Sequence, residues 1–324
     1  MIRTPLFEQW SDFYSGQPTQ TYGTRTSQIS ITSSGNVYVS NALFNKITTS
    51  GSGGAIYCSN VAVQFLSESC SYLNITASGQ GGAIGLYYIV ECVLSKVCGY
   101  GCVSSGSNSH FSNIRVTDDA TKKNFFSDVS VCHSMGTQGF VMFSFRGKIK
   151  HNSVNSSQNE CSYNVGITCE GQNGDDCCVV EYCSITNNTA KTFCCLRLYT
   201  SYQKQVRSCN IIYNRHLDMS DSNGLIQSSD VVTIENSCIL GNLAYCQVYC
   251  SSSSTISNCS IDFSSSAVSG VTITNTPKES FVVKISCFST ASCESFYDSY
   301  GFLTVVPDSQ SKTVKKIITC KCNN

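Results

Sequence analysis

Apolar and polar residues alternate along most of this chain, and the alternation returns at a nearly constant interval. Three clear copies read Val179-Val180-Glu181-Tyr182-Cys183-Ser184-Ile185-Thr186-Asn187, Val206-Arg207-Ser208-Cys209-Asn210-Ile211-Ile212-Tyr213-Asn214 and Ile234-Glu235-Asn236-Ser237-Cys238-Ile239-Leu240-Gly241-Asn242. Looser copies follow at Ile256 to Ile261 and Val283 to Phe288. A period near two predicts strands with one buried face. The strand positions are β-branched or aromatic where they are not Ser or Cys. Clusters of Ser, Asn, Gly and Asp between copies are turn chemistry. No window of about 12 residues holds a helical stripe, so strands alternating with helices are excluded.

The interval defines the architecture. From Cys161 through Cys183, Cys209, Cys238 and Cys259 to Cys287 the spacings are 22, 26, 29, 21 and 28 residues. Backwards, Cys132, Cys98 and Cys70 continue the series. A period of roughly 20–30 residues with strand composition marks a solenoid. One unit cannot bury its inward face alone, but units stacked about 4.8 Å apart can. The expectation is a parallel β-helix with Cys and Ser stacked along an inner column. Asn stands four residues after Cys at Asn74, Asn187 and Asn242, which predicts an amide ladder along the same column.

Residues 1–27 hold the only Trp, Trp10, with Phe7, Phe13, Tyr14 and Tyr22, and are expected to form an N-terminal cap. Residues 28–306 are assigned to the β-helix, about ten coils, and 307–324 to a C-terminal strand or tail. Residues 103–131 are the least regular part and read as a loop inserted in a coil. Pro277 falls in a turn near the end. Early in the chain Gly53-Gly54-Ala55-Ile56 and Gly81-Gly82-Ala83-Ile84 lie 28 residues apart, one coil. Paired Gly permits positive φ and close approach of neighbouring coils.

This last motif resembles the Gly-Gly-Ala-Ile repeats of bacterial polymorphic outer-membrane proteins. With the Cys- and Asn-rich coils it also resembles large β-helix families of parasitic protists. The tight motif covers about residues 35–105, and the looser Cys coil most of the remainder. The bacterial repeats add a Phe-x-x-Asn element and a C-terminal barrel, neither of which occurs here. The resemblance implies an all-β, right-handed parallel β-helix of the pectin-lyase-like kind, displayed on cell surfaces for adhesion or antigenic variation.

Charge adds exclusions. Lys plus Arg equals Asp plus Glu at 21 each, and charged residues make up 13%. Such balance implies no face for nucleic acid. The basic end, Lys312, Lys315, Lys316 and Lys321, reads as solvated. The opening Met1 to Glu8 has no apolar core of a signal peptide, and no run reaches about 18 apolar residues. The 22 cysteines fit two roles, small buried hydrophobes or disulfides between adjacent columns. Of the neighbours Cys177-Cys178 and Cys194-Cys195, one of each pair must face out. Sequons stand at Asn74, Asn155, Asn187 and Asn258.

Candidate chemistry is sparse. Gly174-Asp175-Asp176-Cys177 resembles the Gly-Asp-Asp-Cys segment of polygalacturonase-type glycosidases, whose paired carboxylates act as acid and base. That family also needs an Asn-Thr-Asp segment a coil earlier and Gly-His-Gly a coil later. Here those regions offer only Glu160 and the stretch Lys191 to Leu198. Asp118-Asp119 and Arg197 do not sit at matching positions for a lyase calcium site. His110, His133, His151 and His216 show no ligand spacing. Cys98-x3-Cys102, Cys246-x3-Cys250 and Cys320-x-Cys322 do not complete a four-ligand zinc set. No catalytic, cofactor or metal residues are assigned. The favoured function is a non-catalytic, monomeric recognition or adhesion scaffold for a protein or glycan. The alternative is a carbohydrate-active enzyme using Asp175 and Asp176.

Overall fold

Strands form where the alternation is strict, and single left-handed residues turn the chain between them. In the computed structural model the coil beginning at Ile56 shows the plan. Ile56–Ser59 forms a leading face, Val63–Glu68 a broad face, Ser71–Leu73 a narrow face and Thr76–Ala77 a short face. Each strand pairs in parallel with its counterpart one coil earlier and one coil later. The result is an all-β parallel β-solenoid. The described residues are 9–59, 61–106, 109–117, 119–136, 138–171, 177–192, 194–200, 204–218, 224–264, 268–277 and 279–285, with 287–288 and 305–306 as backbone.

About seven turns make up the solenoid, against the ten or so expected. The shortfall lies at the ends, where the loops are partial. Gln20–Tyr22 adds a short rung to the broad face, pairing with Val37 to Val39, and only a single bridge, Arg25 to Phe44, follows on the narrow face. After the bridge between Arg215 and Leu243, no further pairing of the short face occurs among the described residues.

Two corners recur on every coil. Between broad and narrow faces one residue sits at φ near 50°: Asn41, Ser69, Lys96, Asp128, Ser153, Tyr182, Ser208, Asn236 and Asn258. Lys, Ser and Tyr at such a φ run against local preference. The stack holds them there, because the amide at this corner donates to the coil above. Asn41 N reaches Glu68 O at 3.0 Å and Tyr182 N reaches Arg207 O at 3.2 Å. Between narrow and short faces the same role falls to Lys46, Asn74, Gly101, His133, Gln158, Asn187, Tyr213 and Gly241.

That second corner corrects the proposed ladder. Asn74 and Asn187 are the left-handed corner residues, while the ladder runs one residue later, through Asn159, Asn188, Asn214 and Asn242. Amide-to-amide bonds along it are 3.1, 3.0 and 3.1 Å. Each Oδ1 also accepts a backbone N–H from the preceding coil, as in Asn159 N to Asn188 Oδ1 at 3.0 Å.

The cysteine series is not one inner column either. Cys70, Cys183, Cys209 and Cys259 occupy the inward position that opens the narrow face and belong to the core. Cys98 and Cys238 stand one residue later, in register with Ser71 and Asn210, and point outward. Cys132 is outward as well, and Cys161 lies on the short face. Cys183, Cys209 and Cys238 remain neighbours: Cys238 N donates to Cys209 O at 2.8 Å, and Asn210 N to Cys183 O at 2.8 Å. Cys178 and Cys195 are buried in the core, whereas Cys177 is half-exposed and Cys194 turns its Sγ to Asn164 Oδ1 at 2.9 Å. The disulfide between Cys169 and Cys178 joins leading and broad faces of one coil, Cα atoms 6.4 Å apart.

Three further stretches differ from expectation. Residues 103–131 contain regular rungs, Ser112–Val116 and the long strand Lys123–Cys132, so the insertion shrinks to the loops beside them. The aromatic N-terminal stretch divides in two. Gln20–Tyr22 covers a strand edge, while the helix Trp10–Phe13 lies outside the broad face, where Trp10 and Tyr14 pack on Leu66 and Val93. The last repeat copy, from Val283, leaves the stack altogether and runs over its outside. Val305–Val306 pairs with Cys287–Phe288, and the basic end lies outside the described residues.

The Gly-Gly-Ala-Ile expectation holds. Gly53 and Gly81 have φ of 63° and 70°, and Gly54 N donates to Gly82 O at 3.0 Å. A Cβ on Gly82 would lie 1.9 Å from His110 O. No helix among the described residues is long and apolar enough to cross a membrane.

Candidate functional site

The leading face carries rings and guanidinium groups at its outward positions. Register aligns Tyr87, Arg115, Phe145, Glu170 and Tyr199 on successive rungs. Beside them run Asn113, Phe143, Thr168, Arg197, Gln227 and Tyr249. Parallel in-register stacking produces this belt from residues 22 to 30 positions apart in the chain.

Its geometry is interlocked. Arg115 Nε donates to Asn113 Oδ1 at 3.2 Å, and its Cζ lies 5.4 Å from the Phe143 ring and 5.9 Å from Tyr87. Arg197 Cζ sits 4.1 Å from the Tyr199 ring, and Arg146 Cζ 4.7 Å from Phe145. Phe140 continues the aromatic surface, 5.2 Å from Phe143 and 6.1 Å from Tyr163. Glu170 Oε1 meets Arg197 Nε at 3.4 Å, both side chains about a quarter exposed (24% and 23%). Burial raises the Glu170 carboxyl above its usual range, while Arg197 and Arg115 pull it back. Burial also pushes the Tyr87 phenol up to about 12.

Such a surface can hold a flat, hydroxylated ligand. Ring faces attract the C–H side of a sugar through the same quadrupole that holds cations. Guanidinium, amide and carboxylate groups then bond its hydroxyls. Hydrolysis by the usual route needs a second carboxylate within about 5–9.5 Å. Among the described residues Glu170 is the carboxylate of the belt. Asp175 and Asp176 lie outside the described residues.

The remaining candidates disperse. Arg197 is on the belt. Asp119 accepts from Thr121 N at 2.9 Å in a loop, and Asp118 lies outside the described residues. His110, His151 and His216 are buried in separate coils; His110 Nδ1 accepts from Ser104 N at 3.1 Å, and His151 stacks on Phe126. Cys98 points outward and Cys102 into the core, so that pair does not converge. No group of three His, Cys, Asp or Glu suited to a metal occurs among the described residues. Sequence reasoning missed Glu170, Arg115 and the rings, because the uneven lengths of the coils conceal their alignment. It also missed Lys204, whose side chain is inward and 2% exposed, with its Nζ lacking a hydrogen bond. A cleft of about 440 Å³ lies beside the N-terminal helix, lined by Trp10, Tyr38 and Glu68 among others.

No protein-family model matches the chain, and neither a curated protein nor a solved structure does.

Proposed function

We propose that the chain is a non-catalytic recognition scaffold that binds a glycan along its leading face. The supporting observation is the belt itself, with stacked rings and guanidinium groups around one half-buried carboxylate. The Gly-Gly-Ala-Ile resemblance to bacterial and protist surface proteins supports display outside the cell and a role in adhesion. Screening the full chain against a broad glycan panel tests this. The expected result is saturable binding to one glycan class, weakened about tenfold by Tyr199→Ala, a change of about 1.4 kcal/mol. Absence of saturable binding across the panel sinks the reading.

A second reading is a glycosidase in which Glu170 joins Asp175 or Asp176. The raised pKa of Glu170 suits a general acid. The two aspartates follow it five and six residues later in the chain. Release of reducing ends that disappears in both Glu170→Gln and Asp176→Asn would select this reading over plain binding.

A further inference from the structure

The narrow face has an outer column that is buried although it points away from the core. Ser184, Asn210, Cys238 and Ser260 stand there in register, each 0–3% exposed. What covers part of it is visible. Phe281 N donates to Ser260 Oγ at 3.2 Å. Val283 N donates to Asn210 Oδ1 at 2.9 Å, and Asn210 Nδ2 donates back to Val283 O at 2.7 Å. Between Ser260 and Asn210 the column holds Cys238, so the segment passes over that thiol. Ile285 is buried, and the backbone of Cys287–Phe288 lies against the strands Glu91–Tyr100 and Lys123–Cys132. The segment therefore runs along the solenoid axis, across several rungs, and opposite to the direction of coiling.

We propose that the narrow face is a peptide-binding track that reads an extended backbone, with residues 279–285 as its resident ligand. The geometry is specific in two ways. One Asn side chain engages both the N–H and the C=O of Val283, which selects extended peptide rather than a particular side chain. Small Ser, Cys and Asn side chains leave the trench that the segment fills. This differs from strand addition, because the peptide crosses the rungs and bonds to side chains, not to a sheet edge. The kind of partner this surface fits is an extended apolar peptide, and the one at hand is the same segment of a second copy of this chain. The inference is independent of glycan binding, which uses another face.

The test uses the full chain and a peptide-resolved alkylation rate at Cys238 under native conditions. Val283→Pro removes the N–H that Asn210 accepts, and it lies on the segment, so the coils keep their own contacts. Its expected effect is an increase of about tenfold or more in Cys238 alkylation, reporting local opening. Val283→Ala, which keeps the N–H, should stay at the wild-type rate. Adding a synthetic peptide of residues 279–285 to the Val283→Pro protein should restore protection in a saturable way. The same peptide with Pro at position 283 should not. An unchanged rate in Val283→Pro, equal rates in Val283→Pro and Val283→Ala, or failure of the wild-type peptide to protect each overturns the proposal.

Discussion

Asn188 shows what a single residue does in a stacked coil. Its Nδ2 donates to Ser156 O at 2.8 Å and to Asn214 Oδ1 at 3.0 Å. Its Oδ1 accepts from the backbone and side-chain amides of Asn159. All these groups are buried, so no water replaces a lost partner. Asn188→Ala is expected to cost about 2–4 kcal/mol, the penalty for stranding more than one buried polar group. Asn187→Ala, next door, should cost only about 1–2 kcal/mol, the strain of Ala at positive φ. Chemical denaturation of the two variants checks the order. That pair also shows why the ladder was only half legible. Asn recurs at both positions in the sequence, and only the corner geometry decides which one turns outward at φ 54° and which one bonds inward. Sequons divide along the same lines. Asn74 and Asn258 are exposed corners, whereas Asn155 is buried and donates to Ser130 and Ser157.

At the scale of the element, coil spacing is set by backbone contact at the glycine turns. Gly82→Ala would drive a Cβ to 1.9 Å from His110 O, a backbone atom fixed in the next coil. The expected loss is about 3 kcal/mol or more, at the upper end for overpacking. Gly51→Ala, with nothing within 4 Å of the new Cβ, should move the melting temperature by a degree or two at most. Comparing the two by thermal melts separates coil contact from general intolerance of Ala in turns. The strands and their parallel stacking were legible because alternation and interval are local properties of sequence. The facing of particular residues was not. Cys98 and Cys238 look like core cysteines because small residues line the inside of the stack and also the trench outside it. The belt on the leading face was hidden for a related reason. Tyr87, Arg115, Phe145, Glu170 and Tyr199 align only once the lengths of the intervening loops are known, and those loops vary from coil to coil.

For the whole molecule, the decisive feature is that neutral thiols stand among the aliphatic residues of the core. Burial pushes Cys58, Cys70 and Cys259 up to about 11 and Cys102 up to about 12, from an ordinary value of 9.0. Burial likewise raises Cys92, Cys161 and Cys195. These groups lie along the length of the solenoid, so each segment of the stack carries some. In the unfolded chain they release protons from about pH 9, while the folded chain keeps them. The folded state thus binds more protons above pH 9, and its stability falls as pH rises. Below pH 9 the contribution is fully present; it is lost between 9 and 11–12. One fully buried thiol accounts for about 1.4 kcal/mol per unit of that window. Cys70 and Cys102 alone then remove about 2–3 kcal/mol by pH 10. Denaturation under reducing conditions should show a plateau from pH 7.5 to 8.5 and a steep decline above 9. Buried tyrosines steepen it, since Tyr14 and Tyr72 are raised by burial and act with the same sign above pH 10. A solenoid held mainly by surface ion pairs behaves otherwise, because its carboxylates and guanidinium groups keep their charge across that range. Stability that stays level to pH 10.5 therefore means that the thiols are reached by water and are not part of a dry core.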